Sequence, residues 1–118
     1  MDIHDRTFNF AVRIVQLAQT LDSSPGTPRT LSNQLLRSGT SIGANLEESK
    51  GAQSKPDFIA KTSISLKEAR ETLYWLRLLT ATHIVPEPQL KDLTDEANQI
   101  VAILTTILKN SRKSSSEN

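Results

Sequence analysis

The sequence contains no cysteine, few aromatic residues and almost no net charge. Aromatic side chains make up 4% of its 118 residues, and 14 Lys and Arg residues face 13 Asp and Glu residues, for a net charge of +1. The absence of cysteine excludes disulfides, thiolate metal sites and cysteine nucleophiles, and it fits a cytoplasmic protein. The near-neutral charge does not by itself indicate a strongly basic nucleic-acid-binding protein.

Long hydrophobic runs are also absent. No apolar run approaches the roughly 20 residues that a membrane helix needs, so we expect no membrane partner. The first residues, 1–6, show no basic region followed by an apolar stretch, and we therefore expect no signal peptide. The length is usual for one domain. Because a small domain buries a smaller fraction of its surface than a large one, self-association would add useful burial.

Four segments have apolar residues at helical spacing, separated by clusters of Pro, Gly and Ser. Steps of three and four residues indicate helix faces, and they predict helices over about 5–21, 30–53, 56–82 and 87–109. Short connections between long helices predict an all-α fold, an antiparallel up-down-up-down four-helix bundle. We expect the bundle to occupy residues 1–110 and the Ser-rich segment 111–118 to be a disordered polar tail.

Two glycines interrupt the second predicted helix. Gly39 and Gly43 are four residues apart, so they lie on one side of that helix. Glycine inside a helix costs about 1 kcal/mol relative to alanine, and close approach of another backbone would compensate for this cost. We therefore predict that the face carrying Gly39 and Gly43 forms the closest helix contact.

Asn45 and Glu48 lie beside these glycines. If their side chains face inward they need partners, and Lys67 or Arg70 on the third helix would supply them. We interpret Asn45 and Glu48 as a polar network that fixes helix register, with a ligand site as the alternative.

Residues for metal binding or covalent catalysis form no familiar pattern. His4 and His83 both lack the glutamate three residues earlier that diiron bundles carry. Four carboxylates, interpreted as solvated or salt-bridged, have no residues to complete a metal site: Glu47, Glu48, Glu68 and Glu71. There is no Gly-x-Ser-x-Gly elbow, and segment 38–43 lacks the lysine and the preceding strand of a phosphate loop. We predict no catalytic residue, no metal and no cofactor.

Cations follow the third predicted helix and surround the turn before it. The basic stripe of the third helix consists of Lys67, Arg70, Tyr74 and Arg77. The turn cluster consists of Lys50, Lys55 and Lys61. Cations with an aromatic side chain among them contact phosphates and stack on a base, which makes both groups candidates for nucleic-acid binding. Alternatively, these side chains lie along the core edge or pair with acidic neighbours or another subunit.

For a single chain the structural interpretation of these cations is favoured, because affinity for phosphate backbones scales with the number of cations. In a ring-shaped oligomer the basic stripe would be repeated around the assembly. The larger number of cations would then make nucleic-acid binding a stronger alternative to the structural interpretation.

Three motifs in the middle of the chain resemble a known family. Segment 35–48 carries Ser-Ile followed by Asn-Leu-Glu-Glu, segment 54–58 reads Ser-Lys-Pro-Asp-Phe, and segment 65–72 contains Leu-Lys-Glu-Ala-Arg-Glu. Together they resemble the bacterial four-helix bundle proteins encoded in intervening sequences of large-subunit ribosomal RNA genes. The first and fourth helices match this family mainly in pattern.

The resemblance implies an antiparallel bundle that assembles into a pentameric barrel. It also implies similarity to the accessory proteins of diversity-generating retroelements, which share the fold and bind nucleic acid. Those proteins are markedly basic, whereas this chain is nearly neutral. The family has no established enzymatic activity.

The function expected from the sequence is that of a non-enzymatic, cytoplasmic, oligomeric scaffold that binds RNA or DNA through basic residues of the third helix. Its partners would be further copies of the same chain and a nucleic acid. The alternative is a protein-interaction or purely structural assembly with no nucleic-acid partner. A metal-dependent enzyme is disfavoured because the histidine pattern is missing.

Overall fold

The computed structural model describes residues 2–116, with side chains to residue 113, and consists of four helices. These are α1 (Ile3–Asp22), α2 (Thr27–Lys50), α3 (Lys55–Ala81) and α4 (Glu87–Ser116). The described part contains no strand. The predicted all-α class and all four predicted helices are confirmed. None of the described helices combines the length and the apolar composition needed to cross a membrane.

Helix α4 is longer than the sequence pattern indicated. Residues 111–116, part of the segment predicted to be a disordered tail, continue α4 to Ser116, and residues 117–118 lie outside the described residues. A helix that has already formed adds residues at little cost, because nucleation is the expensive step and serine is only a moderately poor helix former. The polar composition of this segment therefore did not mark the end of the helix.

Local hydrogen bonds explain where two helices begin. The Asp2 carboxylate accepts a bond of 2.9 Å from the Asp5 N–H, which lowers the pKa of Asp2. The Ser54 hydroxyl accepts a bond of 3.1 Å from the Asp57 N–H. Such N-caps satisfy donors that have no partner within the helix. Pro28, predicted to lie in a loop, belongs to the first turn of α2, where its missing N–H is not needed.

Contacts between residues far apart in the chain join neighbouring helices. These pairs are Thr7 with Gly43 and Ala18 with Ser32 between α1 and α2, and Ile42 with Ser65 and Ser38 with Thr72 between α2 and α3. Helix α4 packs on α3 and also contacts α1, where the Arg6 Nε donates to Glu96 at 3.1 Å. The four helices thus form a bundle measuring 52 × 23 × 21 Å.

The core is aliphatic, as the low aromatic content predicted. Phe10 is the one aromatic side chain that is fully buried among the described residues. Helix α4 buries one apolar stripe, namely Leu90, Leu93, Ala97, Ile100 and Leu104, together with Leu108. Helix α1 has two apolar stripes: Phe10, Ile14 and Leu21 of one stripe are buried, whereas in the other stripe Ala18 is buried and Phe8 is 68% exposed.

The two glycines of α2 face α1 within the same chain. A Cβ atom added at Gly39 would lie 2.8 Å from Cγ2 of Ile14, which is closer than real Cβ contacts allow. At Gly43 an added Cβ would lie 3.3 Å from the Thr7 hydroxyl oxygen. The close approach is therefore tightest at Gly39, where only a residue without a Cβ fits.

Candidate nucleic-acid interface

Small polar side chains fix how α3 is oriented against α2. The buried Ser65 hydroxyl donates to the Ile42 carbonyl oxygen at 2.8 Å, and the buried Thr72 hydroxyl donates to the Ser38 hydroxyl at 2.9 Å. Buried polar groups need such partners, so these bonds favour one rotation of α3 over others. With this side of α3 against α2, the basic stripe is left on the exposed surface.

The carboxylates of α3 are held by a cation from α2. Arg37 donates to Glu68 at 3.1 Å and also bonds Glu71, whose carboxylate accepts a further bond of 3.1 Å from the indole N–H of Trp75. Glu68 is only 8% exposed. Glu68 and Glu71 therefore share one cation, Arg37, on the α2 side of the helix, and neither forms a salt bridge with the basic stripe.

The structure brings the four residues of the basic stripe together on one exposed side of α3. Within the described part of the chain, Lys67, Arg70 and Arg77 form no hydrogen bond and no salt bridge. Tyr74 is 53% exposed, and its ring centroid lies 5.2 Å from that of Trp75. The stripe thus presents three unpaired cations and an accessible aromatic ring, the groups that phosphates and bases require.

The turn cluster is electrostatically different. Lys50 pairs with Glu47 at 3.1 Å, and Lys61 pairs with Glu48 at 3.0 Å, which raises the pKa of Lys61. Lys55 is exposed at the first residue of α3. Two of the three lysines in this cluster therefore have a glutamate as their counterion.

The predicted inward network of Asn45 and Glu48 with Lys67 or Arg70 is not formed. Asn45 donates to the Ser41 carbonyl oxygen of its own helix at 2.8 Å, and the Glu48 side chain is 60% exposed. The core-facing positions of α2 include Ile42, Leu46 and Ser49, so position 48 falls on the outer side.

The buried carboxylate in this bundle is instead Glu68. It lies between the buried Ser65 and Thr72 on the core-facing row of α3, a spacing that was visible in the sequence. Its partner Arg37 was not identifiable from the sequence, because the contact joins two helices.

One cation near the stripe was not predicted at all. A groove between α3 and α4, the α3–α4 groove, is lined by Ser63, Leu66, Lys67, Arg70, Thr105, Leu108 and Arg112. Arg112 belongs to the segment predicted to be a tail, but it lies on α4 and donates to the Ser63 hydroxyl at 3.2 Å. Arg112 lies one helical turn after the buried Leu108. Extending the predicted fourth helix beyond residue 109 would therefore have placed Arg112 at this groove.

The comparison with known proteins agrees with the motifs in the sequence. The family model described as 23S rRNA-intervening sequence protein matches residues 1–106. The chain belongs to this family. Its fold is similar to that in the crystal structure of a protein of unknown function from the S23 ribosomal protein family of Bacteroides thetaiotaomicron VPI-5482. That structure has a TM-score of 0.85 and 43% sequence identity, over 92% of this chain and 99% of that one. No curated protein matches the sequence.

This member of the 23S rRNA-intervening sequence protein family also exposes an apolar surface on α1. The α1 apolar face consists of Phe8, Val12 and Val15, which are 68%, 41% and 38% exposed. Phe8 borders a depression between α1 and α2 whose lining includes Ala11 and Ala44. Among the described residues, no three His, Asp or Glu side chains are grouped so that they could hold a metal ion.

Proposed function

We propose that the protein is a non-enzymatic, cytoplasmic, oligomeric scaffold that binds RNA or DNA through the basic stripe of α3. The observation that carries this proposal is the pairing pattern of the cations. Lys67, Arg70 and Arg77 are exposed and have no partner within the described chain, although the protein as a whole is nearly neutral. Unpaired cations supply most of the affinity for a phosphate backbone.

The proposed scaffold is an antiparallel up-down-up-down bundle that assembles with copies of itself into a pentameric barrel. The order of helix contacts supports the antiparallel arrangement, and the family resemblance implies the pentamer. The α1 apolar face supports self-association, because Phe8, Val12 and Val15 recur at steps of four and three and present one apolar row to solvent. Each chain has a net charge of only +1, but the assembly would present one basic stripe per chain.

A protein-interaction or purely structural assembly with no nucleic-acid partner is the second candidate. The α1 apolar face favours it, since this surface suits association of chains without any nucleic acid. The two candidates differ in one respect that can be measured, which is whether the basic stripe contacts phosphates.

Fluorescence anisotropy of labelled structured RNA and of duplex DNA, titrated with protein over a salt series, tests the proposal. We expect binding that weakens steeply with salt and is strongly reduced in Lys67→Ala/Arg70→Ala. The matched control is Arg13→Ala/Lys109→Ala, which removes the same charge from two exposed positions outside the stripe. Absence of binding at low salt, or equal losses in both double variants, would remove the nucleic-acid proposal and favour the second candidate.

The mass of the native protein in solution tests the assembly separately. Light scattering after size exclusion should give five chains per particle. Phe8→Ser should shift the mass towards the monomer while leaving the helical content unchanged, because Phe8 lies outside the core. A monomeric wild-type protein would contradict the assembly without affecting the test of the basic stripe.

A further inference from the structure

The α3–α4 groove collects three cations from two helices. Lys67 and Arg70 come from α3 and Arg112 from α4, and the residues of the described chain that line the groove include no carboxylate. The nearest acidic side chains along α3, Glu68 and Glu71, are bonded to Arg37 of α2. Cations held in one groove repel each other, whereas each of them is attracted to an anion bound between them. Binding of an anion therefore lowers the electrostatic energy of the groove.

Arg112 is oriented in this groove by a hydrogen bond. Its Nη2 donates to the Ser63 hydroxyl at 3.2 Å, so the guanidinium lies across the boundary between α4 and α3. A guanidinium has five N–H donors, and this bond leaves the others for a ligand. Its planar fork matches two oxygens of a phosphate, whereas the ammonium of Lys67 acts as a point charge.

The floor of the groove is apolar. Leu66 and Leu108 are 9% and 2% exposed and separate the charged rim from the core. A concave surface with a low-dielectric wall concentrates the field of its charges, so the same three cations attract an anion more strongly here than on a flat surface. The hydroxyl of Thr105, which also lines the groove, donates to the Val101 carbonyl oxygen at 2.7 Å, so the cations supply the donors for an anion.

We infer that the α3–α4 groove is a binding subsite for a single phosphoryl group, held by Arg112, Arg70 and Lys67. This inference rests on the proposed function and deepens it, because it places one phosphate of a bound nucleic acid between α3 and α4 instead of along α3 alone. The shared chemistry is a phosphoryl anion, and its source is either a phosphodiester of RNA or DNA or a free phosphate compound.

The test compares Arg112→Gln with Lys109→Gln. Both substitutions remove one positive charge from an exposed position of α4, but only Arg112 lines the groove. A labelled single-stranded RNA is titrated with each variant over a salt series. In parallel, the Nε–Hε resonance of Arg112 in the full-length wild-type protein is followed by NMR during titration with the same RNA and with inorganic pyrophosphate. Thermal melts establish that both variants are folded.

We expect Arg112→Gln to weaken RNA binding and to lower the salt slope by about 0.7, the value for one lost contact to a single strand. Lys109→Gln should leave the slope unchanged, and the Arg112 resonance should shift with RNA. Equal slopes in the two variants, or an Arg112 resonance that does not move when RNA binds, would overturn the subsite. The proposed function would survive if Lys67→Ala/Arg70→Ala still strongly reduced binding.

A wild-type protein that binds neither RNA nor DNA would overturn the proposed function, and the pyrophosphate titration would then test the groove independently. A shift of the Arg112 resonance that saturates, and that is weakened in Lys67→Gln, would assign the groove to a free phosphate compound. Absence of any shift with pyrophosphate would overturn the subsite as well.

Discussion

The basic stripe of α3 and the turn cluster between α2 and α3 contain the same number of cations but differ in pairing. Lys50 and Lys61 of the turn cluster each lie about 3 Å from a glutamate of α2. The cations of the stripe have no such partner within the described chain, because the carboxylates of their own helix are bonded elsewhere. The comparison teaches that two segments with the same number of cations can differ in how many of those charges have a carboxylate partner. We expect affinity for phosphate to follow the cations that have none.

The difference in pairing between the basic stripe and the turn cluster depends on Arg37. Substitution of Arg37 should therefore have a larger effect than the other substitutions described below. Arg37→Ala leaves the nearly buried Glu68 without its cation, which should lower the free energy of unfolding by about 1–3 kcal/mol. The freed carboxylates of Glu68 and Glu71 should also weaken RNA binding by the stripe. Denaturant unfolding and anisotropy measure the two effects. Arg13→Ala, an exposed position on α1, should change stability by less than about 0.5 kcal/mol; equal effects would contradict the role given to Arg37.

Removing two cations from each region compares them directly. Lys67→Ala/Arg70→Ala should lower the salt slope for duplex DNA by about 1.8, two contacts at about 0.9 each, and reduce affinity about tenfold. Lys50→Ala/Lys61→Ala should lower the slope by less than half of this, because these lysines already have carboxylate counterions. The measurement is anisotropy over a salt series. A larger loss in the turn cluster would reverse the comparison.

Removing the carboxylates should make the turn cluster resemble the stripe. Glu47→Gln/Glu48→Gln leaves Lys50 and Lys61 unpaired, and RNA affinity should rise by a few-fold with a steeper dependence on salt.

The control for this gain is Asp5→Asn/Asp92→Asn, which adds the same net charge at exposed positions of α1 and α4. Its effect on affinity should be smaller, since charges farther from the bound phosphates are screened by salt. If both double variants bind RNA equally well, net charge alone explains the gain and the pairing is irrelevant.

The smallest expected effect is on the pH dependence of stability. Glu48 raises the pKa of Lys61, so the pair stabilises the fold at and below the ordinary lysine pKa of about 10.4. That contribution is lost as the pH rises through the higher folded-state pKa. Lys61→Gln should therefore be slightly less stable than wild type at neutral pH, with the difference disappearing at strongly alkaline pH. Thermal melts over this range measure it, and Lys55→Gln, which removes a cation with no partner in the described chain, should show no such convergence.

Sequence periodicity predicted the four helices, but it did not predict which of the two similar faces of α1 is buried. The two α1 stripes have nearly the same apolar content, yet Phe10 is buried and Phe8 is exposed. Helical spacing places Glu68 on the core-facing row of α3, but the cation that pairs with it, Arg37, comes from another helix. Such choices depend on the summed packing of all four helices, which a local pattern does not contain.

The sequence by itself determined the helical class, the four helices and the line of cations on α3, because these follow from spacings of three and four residues within one segment. Lys50 pairs with Glu47 within one turn of α2, a spacing that the sequence contains, but the tertiary structure alone decided the other pairings, because those contacts join residues far apart in the chain. Arg37 reaches the carboxylates of α3, Glu48 reaches Lys61, and Arg112 reaches Ser63. Charge is a property of the residue, whereas the neighbour that neutralises it is a property of the fold.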